Sequence, residues 1–548
     1  MDPAATGSPR TRAFPVEAAV FLTVVVLQAL PVLLFPYFPN WDGPAHVGAA
    51  SVIATRNDPA RSEFREYFVV SFFPNPNWSG HLALVFLTKV LPGALAERVL
   101  VLLIFLAFPL SVRYALAAVS PRSAPLAYLA LPLGLNLLVH GGAYNFCLGL
   151  PIFFATLGFW LRRQDRPGPA GVAALSILLV LAYLSHIVPY VMLLMFLGVS
   201  ALWASRSEAR AAGAGFLRVA WDRSKLPALA CLPSLALAAV YFLRGGDGGP
   251  TRRIPLPLLV KDLVTLAPAM VTFRNPEKFV GLLLGLSILS LTAWGLLGRR
   301  GSSSREPRGV FLVLAAASVA LYFLAPDAMG GGSALSRRLS LFPYFSLLLW
   351  CAGLELRPTL RAVLPAVGLA ASLALIVLRF PAYVEFNRDL EEFASAGPHL
   401  RANSTILPLK FIREDNKDAG TAWSCVVRPL DYASGYLMAD RGVVDLTLYE
   451  APFRYFPVSY RADRDPCTFI GSAPDWMEQV PPRADFASYS RRTPGRVDYV
   501  LVWGLKAASQ DVLEDPATVS IRAQLDADYR RIFTSPQRGL LELYERRR

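Results

Sequence analysis

In the stretch Phe38-Pro-Asn-Trp-Asp-Gly-Pro-Ala-His46, a carboxylate and an imidazole stand four residues apart, just beyond the first long apolar segment. If the chain after Pro44 is helical, Asp42 and His46 share a face, and a carboxylate oriented there can serve as a general base. Charge is costly near hydrocarbon unless solvated or paired, so an acid at the end of a spanning segment is a functional candidate. Its plainer reading is an ordinary interfacial loop acid.

Three further histidines, His81, His140 and His186, are expected on the same side of the membrane. Each alone reads as a hydrogen-bonded interfacial residue, and their shared side argues for a polar cleft. The loop His140-Gly-Gly-Ala-Tyr144-Asn145-Phe146 offers small residues and polar tips suited to lining a sugar site, or forms a tight interhelical turn. Arg337 and Arg338 present planar donor forks that match phosphate oxygens; snorkelling to anionic headgroups is the alternative. No HxxxH or HExxH spacing supports a metal site.

The elements that must position these residues are membrane helices. The chain has 548 residues, 54% hydrophobic and 17% charged, with apolar blocks of the ~20-residue length that crosses a bilayer core. About eleven spans are expected, near 16–37, 95–117, 124–140, 145–161, 169–186, 187–204, 226–243, 279–298, 309–325, 339–356 and 361–379. Arg10 and Arg12 place residues 1–15 in the cytoplasm. The resulting parity puts the basic loops inside and the 39–94 loop outside. The net charge of +14 is thus a matter of topology, and no nucleic-acid partner is implied. The short apolar segment Ser79–Leu91 is expected as an interfacial helix.

Residues 381–548 then form a soluble extracytoplasmic domain. Asn387–Ala396 reads as an amphipathic helix, 404–408 and 497–503 as strands, and 529–544 as two strands around the turn Ser535–Gly539. The fold class is a polytopic α-helical membrane module, 16–380, with a C-terminal α/β domain. Of five cysteines, Cys425 and Cys467 could pair if that domain lies in an oxidising space. Arg-rich, Lys-poor composition suggests a bacterial inner (plasma) membrane.

With these residues in place, the chain resembles the GT-C class of integral membrane glycosyltransferases. The resemblance rests on Asp42-Gly-Pro-Ala-His46, Asn75-Pro-Asn-Trp-Ser-Gly-His81, Tyr144-Asn-Phe146, Asp431-Tyr-Ala-Ser-Gly435 and Phe456-Pro-Val-Ser-Tyr-Arg461. It implies a polyprenyl-phosphate sugar donor held in the lipid bilayer and an acceptor hydroxyl on a glycan, lipid or protein. Asp42 and His46 would be catalytic, and Arg337, Arg338, His81, His140, Tyr144, Asn145 and His186 substrate-binding. No cofactor is certain. A divalent cation, Mg or Mn, stays open, because many members carry two adjacent acids where Asp42 is followed by Gly43 and the next acid is Asp58. Glu63 and Glu66 would supply a second carboxylate only if the loop folds back. The competing readings are a transporter or flippase for a lipid-linked or anionic substrate, and a non-catalytic scaffold.

Overall fold

The computed structural model describes residues 13–165, 168–245, 251–298, 309–329, 332–413, 426–471 and 478–547. In chain order the helices of the membrane module are α1 (Ala13–Leu34), α2 (Gly43–Thr55), α3 (Ser62–Tyr67), α4 (Trp78–Thr88), α5 (Gly93–Val119), α6 (Leu137–His140), α7 (Tyr144–Arg163), α8 (Pro169–Ser185) and α9 (Ile187–Ala212). They continue as α10 (Phe216–Leu243), α11 (Leu256–Thr265), α12 (Ala267–Met270), α13 (Glu277–Leu297), α14 (Gly309–Leu324), α15 (Leu335–Leu339), α16 (Leu341–Cys351) and α17 (Pro358–Ala394). Among the described residues, eight helical segments are long and apolar enough to cross a membrane.

Three of the eleven expected spans fall in helices shorter than these. The segments near 169–186 and 309–325 become helices of 17 and 16 residues, α8 and α14. The one near 339–356 divides into α15 and α16, and ten of the eleven residues of α16 are buried. An apolar run satisfies a protein core as well as it satisfies lipid, so hydropathy does not separate the two. The 124–140 segment is a 3-10 helix over Pro121–Leu133 followed by α6. Pro125 and Pro132 lack the N–H groups that an α-helix needs there, and the segment is packed inside the protein, where irregular backbone is tolerated.

Helix α17 is 37 residues long and runs unbroken through Pro381 into the C-terminal domain, joining the expected last span to the expected 387–396 helix. The domain adds α18 (Ser434–Arg441) and a five-stranded sheet of order β3-β2-β5-β7-β6. Its strands are β2 (Thr405–Lys410), β3 (Val444–Asp445), β5 (Tyr499–Trp503), β6 (Tyr529–Thr534) and β7 (Leu541–Arg546). β2 pairs in parallel with β3 and β5, and β7 antiparallel with β5 and β6. Every residue of β5 is buried, as its unbroken apolar run requires of a central strand. A pairing of Cys425 with Cys467 involves Cys425, which lies outside the described residues.

Three contacts join the domain to the bundle. β1 (Phe68–Val70), from the loop between α1 and α5, pairs antiparallel with β4 (Val458–Tyr460), with Phe68 opposite Tyr460. Helix α18 packs on α2 so closely that a Cβ at Gly435 would overlap the Pro44 carbonyl. Buried Glu392, near the end of α17, holds the last hairpin: it accepts hydrogen bonds from Arg538 Nε at 2.7 Å and Leu540 N at 2.9 Å.

Two predictions follow from this packing. Gly435→Val forces the helices apart and lowers stability by about 2–3 kcal/mol, measured by denaturant unfolding in detergent. Glu392→Ala strands the donors of the hairpin and costs about 2–3 kcal/mol, read as a lower Tm, with α18 keeping its protection from hydrogen exchange.

Candidate functional site

Helix α2 begins where Pro44 stands in its first turn, a position that tolerates the missing N–H. Asp42 occupies the N-cap position but makes no side-chain cap; its carbonyl takes the His46 amide at 3.2 Å. The segment after Pro44 is therefore helical, and Asp42 and His46 are one turn apart, as their spacing requires. Gly43 N donates to Asn40 Oδ1 at 2.5 Å, and Asn40 Nδ2 to Glu97 Oε1 at 2.6 Å. Glu97, buried in α5, also accepts from the Tyr144 hydroxyl at 2.7 Å and from the Tyr436 hydroxyl of α18. One carboxylate thereby fixes the start of α2, the start of α7 and the C-terminal domain together.

The C-terminal domain contributes a second buried carboxylate. Glu450 meets His46 Nδ1 with one oxygen and His81 Nε2 with the other, the latter at 2.8 Å. The far nitrogens of both rings are held by backbone carbonyls: His46 Nε2 by Gly142 at 2.8 Å and His81 Nδ1 by Asn77 at 2.9 Å. Gly142 is at φ +79°, and a Cβ there would approach the Asp42 Cβ to 2.7 Å, so glycine is required. Aromatic rings close the site. Phe456 lies 5.9 Å from His46 and 5.8 Å from His81, and Tyr144 5.7 Å and Tyr449 6.2 Å from His46.

The two acids are driven in opposite directions. Burial raises the Asp42 carboxyl to about 7; His46 and a Tyr449 hydrogen bond oppose this, while Glu450 and Glu478 add to it. Burial would raise Glu450 too, but His81 and His46 more than offset it and hold that carboxyl at about 2. Burial lowers the proton affinity of His46, and the Glu450 charge and hydrogen bond reverse this, leaving it raised.

Arg338, in α15, is within electrostatic range of Asp42 and Tyr455. Its guanidinium lies 5.9 Å over the Phe146 ring and its Nη1 donates to the Ser333 carbonyl. Its Nε is buried and has no hydrogen-bond partner among the described residues. Arg337, its neighbour, lies within electrostatic range of Asp262 of α11.

Other sequence candidates have structural partners. His140 turns away: its Nε2 meets the Tyr383 hydroxyl at 2.7 Å and its ring sits 4.8 Å from Phe38, although its carbonyl supports Trp41 N at 2.8 Å. Asn145 Oδ1 accepts from Gly80 N at 2.6 Å and so anchors α4. His186 Nδ1 accepts from Val188 N at 3.1 Å, capping α9, with its ring 5.5 Å from Phe146. The first-loop acids do not fold back toward Asp42. Asp58 caps Ala60 N at 2.9 Å, Glu63 pairs with Arg496 at 3.0 Å and Glu66 with Arg464 at 3.0 Å. Each of these three acids is thus held by a partner of its own.

Sequence reasoning missed Glu97, Tyr436, Tyr449 and Glu450. The last three lie between the stretches 431–435 and 456–461 already singled out, in an interval that also holds Asp440 and Asp445, so position alone did not mark Glu450.

No family model and no curated protein matches the chain. Among solved structures, it is similar to ArnT from Cupriavidus metallidurans in the apo state, over 98% of this chain and 98% of that one, with 11% identity and a TM-score of 0.49.

Proposed function

We propose that the chain is a membrane glycosyltransferase of the GT-C type that moves a sugar from a polyprenyl-phosphate donor to an acceptor hydroxyl. The observation that carries this reading is a buried Asp42 carboxyl with the Arg338 guanidinium within electrostatic range of it. In an inverting transfer the acceptor oxygen attacks the anomeric carbon through an oxocarbenium-like state, and the lipid phosphate departs from the opposite face. Asp42 takes the acceptor proton. A carboxyl whose proton affinity sits near neutrality is suited to that role, because a substantial fraction is ionised at neutral pH and it is basic enough to drive the step.

Arg338 faces the negative charge that grows on the departing phosphate. Its buried, unpartnered Nε is a donor available to a phosphate oxygen, and the surrounding burial strengthens the attraction. His46 orients the site through the backbone of α2 and through Glu450 and is not itself the base, since Glu450 and Gly142 occupy both of its ring nitrogens. Tyr449 and Tyr455, from the C-terminal domain, form the wall on which the sugar rests. The placement of that domain on the extracytoplasmic side, and of the protein in the inner membrane, belongs to the same proposal.

Purified protein incubated with a panel of polyprenyl-phosphate sugars should release lipid phosphate. Asp42→Asn lowers turnover by about 10²–10⁴-fold while the unfolding transition is retained, and near-normal turnover in that variant removes the assigned base. Arg338→Ala lowers kcat by about 10²–10³-fold, and Arg338→Lys restores only part of it, because an ammonium lacks the planar fork.

A further inference from the structure

We infer that His46, His81 and Glu450 bind one divalent transition-metal ion of the zinc type, which ties the first loop to the C-terminal domain. The two imidazoles and the carboxylate are all buried, and their ligand atoms lie within 4.8 Å of one another. Ligands of a tetrahedral ion with ~2.1 Å bonds stand about 3.4 Å apart, so a small parting of Glu450 from the two rings admits the ion. The ion would complete its coordination with water or a substrate oxygen.

Proton placement supports this. A carbonyl oxygen only accepts, so the nitrogen facing Gly142 in His46 and the one facing Asn77 in His81 each carry their hydrogen. A neutral imidazole then presents a lone pair on its other nitrogen. Both lone pairs face the Glu450 carboxylate, and lone pairs do not bond to a carboxylate without a cation between them. Two protons would serve, at the cost of two imidazolium rings buried side by side; a single divalent ion serves both contacts at once.

The orientation is that of metal-bound histidines, whose second nitrogen is held by a carbonyl or carboxylate that fixes the tautomer. Here the backbone is shaped for it. Both orienting carbonyls belong to residues in the left-handed region, Asn77 at φ +82° and Gly142 at φ +79°. Asn77 pays a steric penalty that its cap position alone does not require, since its side chain makes no cap hydrogen bond. Two nitrogen donors and one carboxylate favour zinc over the oxygen-preferring Mg or Mn. The inference stands apart from the transferase reading, because its three protein ligands bind the ion whether or not donor or acceptor is present.

The test uses the full-length chain, purified in detergent without a histidine tag. It is treated with chelator, dialysed, and titrated with Zn²⁺ and then Co²⁺. One metal per chain by elemental analysis is expected, together with the visible d–d absorption of tetrahedral Co²⁺ and a Tm that rises with bound metal. His81→Ala and His46→Ala should each weaken binding by about 100-fold or more. If either fails to fold, His81→Gln, which preserves bulk and polarity, takes its place. Wild-type protein that holds no metal above background after titration overturns the inference. So does stoichiometric binding that survives both histidine substitutions, since the cysteines or another site would then hold the ion. All three readouts are independent of turnover, so an inactive enzyme that binds zinc refutes the proposed function and leaves this site standing.

Discussion

Two carboxylates buried between the first loop and the C-terminal domain govern this structure. Removing such a group from water costs several kcal/mol unless donors replace the lost hydration, and here the replacements come from distant parts of the chain. Glu97 is satisfied by Asn40, Tyr144 and Tyr436, and Glu450 by His46 and His81. Neither acid can be accommodated until loop, bundle and domain are assembled together. The β1–β4 pairing and the seating of Gly435 on Pro44 add backbone contacts to the same joint. The catalytic candidates are therefore held by an interface rather than by a single element.

That interface also separates the chemistry of neighbouring acids. Asp42, with burial dominant and few compensating partners, is pushed to about 7; Glu450, equally enclosed but gripped by two imidazoles, falls to about 2. Environments that drive nearby carboxyls apart assign them different work. One becomes a group that can exchange a proton near neutrality, and the other a permanent anion that organises its surroundings. The buried Glu277–Arg379 pair, with Nε to Oε2 at 2.8 Å, plays a comparable organising role deeper in the bundle: Glu277 also accepts the Phe273 and Arg274 amides, and Arg379 donates to the Met270 carbonyl at 2.7 Å.

Local signals in the chain were sufficient for much of this. The strands 405–410 and 499–503 and the final hairpin show in the sequence because apolar runs and the Ser535–Gly539 turn are local properties. The i, i+4 relation of Asp42 and His46 needed only Pro44 to start a helix. Lengths of buried helices were not legible, since α16 is apolar for the core and not for lipid. β1, β3 and β4 are two or three residues each and exist only through their partners. Four histidines expected on one side divided by partner: His46 and His81 converged on Glu450, while His140 found Tyr383 and His186 capped a helix. Glu450 is 369 residues from His81, and no spacing rule reaches across that distance.

The central claim is that the C-terminal domain orders the first loop through Glu450, and amide hydrogen exchange on the intact protein tests it most directly. In Glu450→Gln the amides of α2 should exchange about tenfold or more faster than in the wild type, while the β6–β7 hairpin, on the far edge of the same domain, stays equally protected. Unchanged exchange across 43–55, with the substitution confirmed and the hairpin intact, would contradict the account.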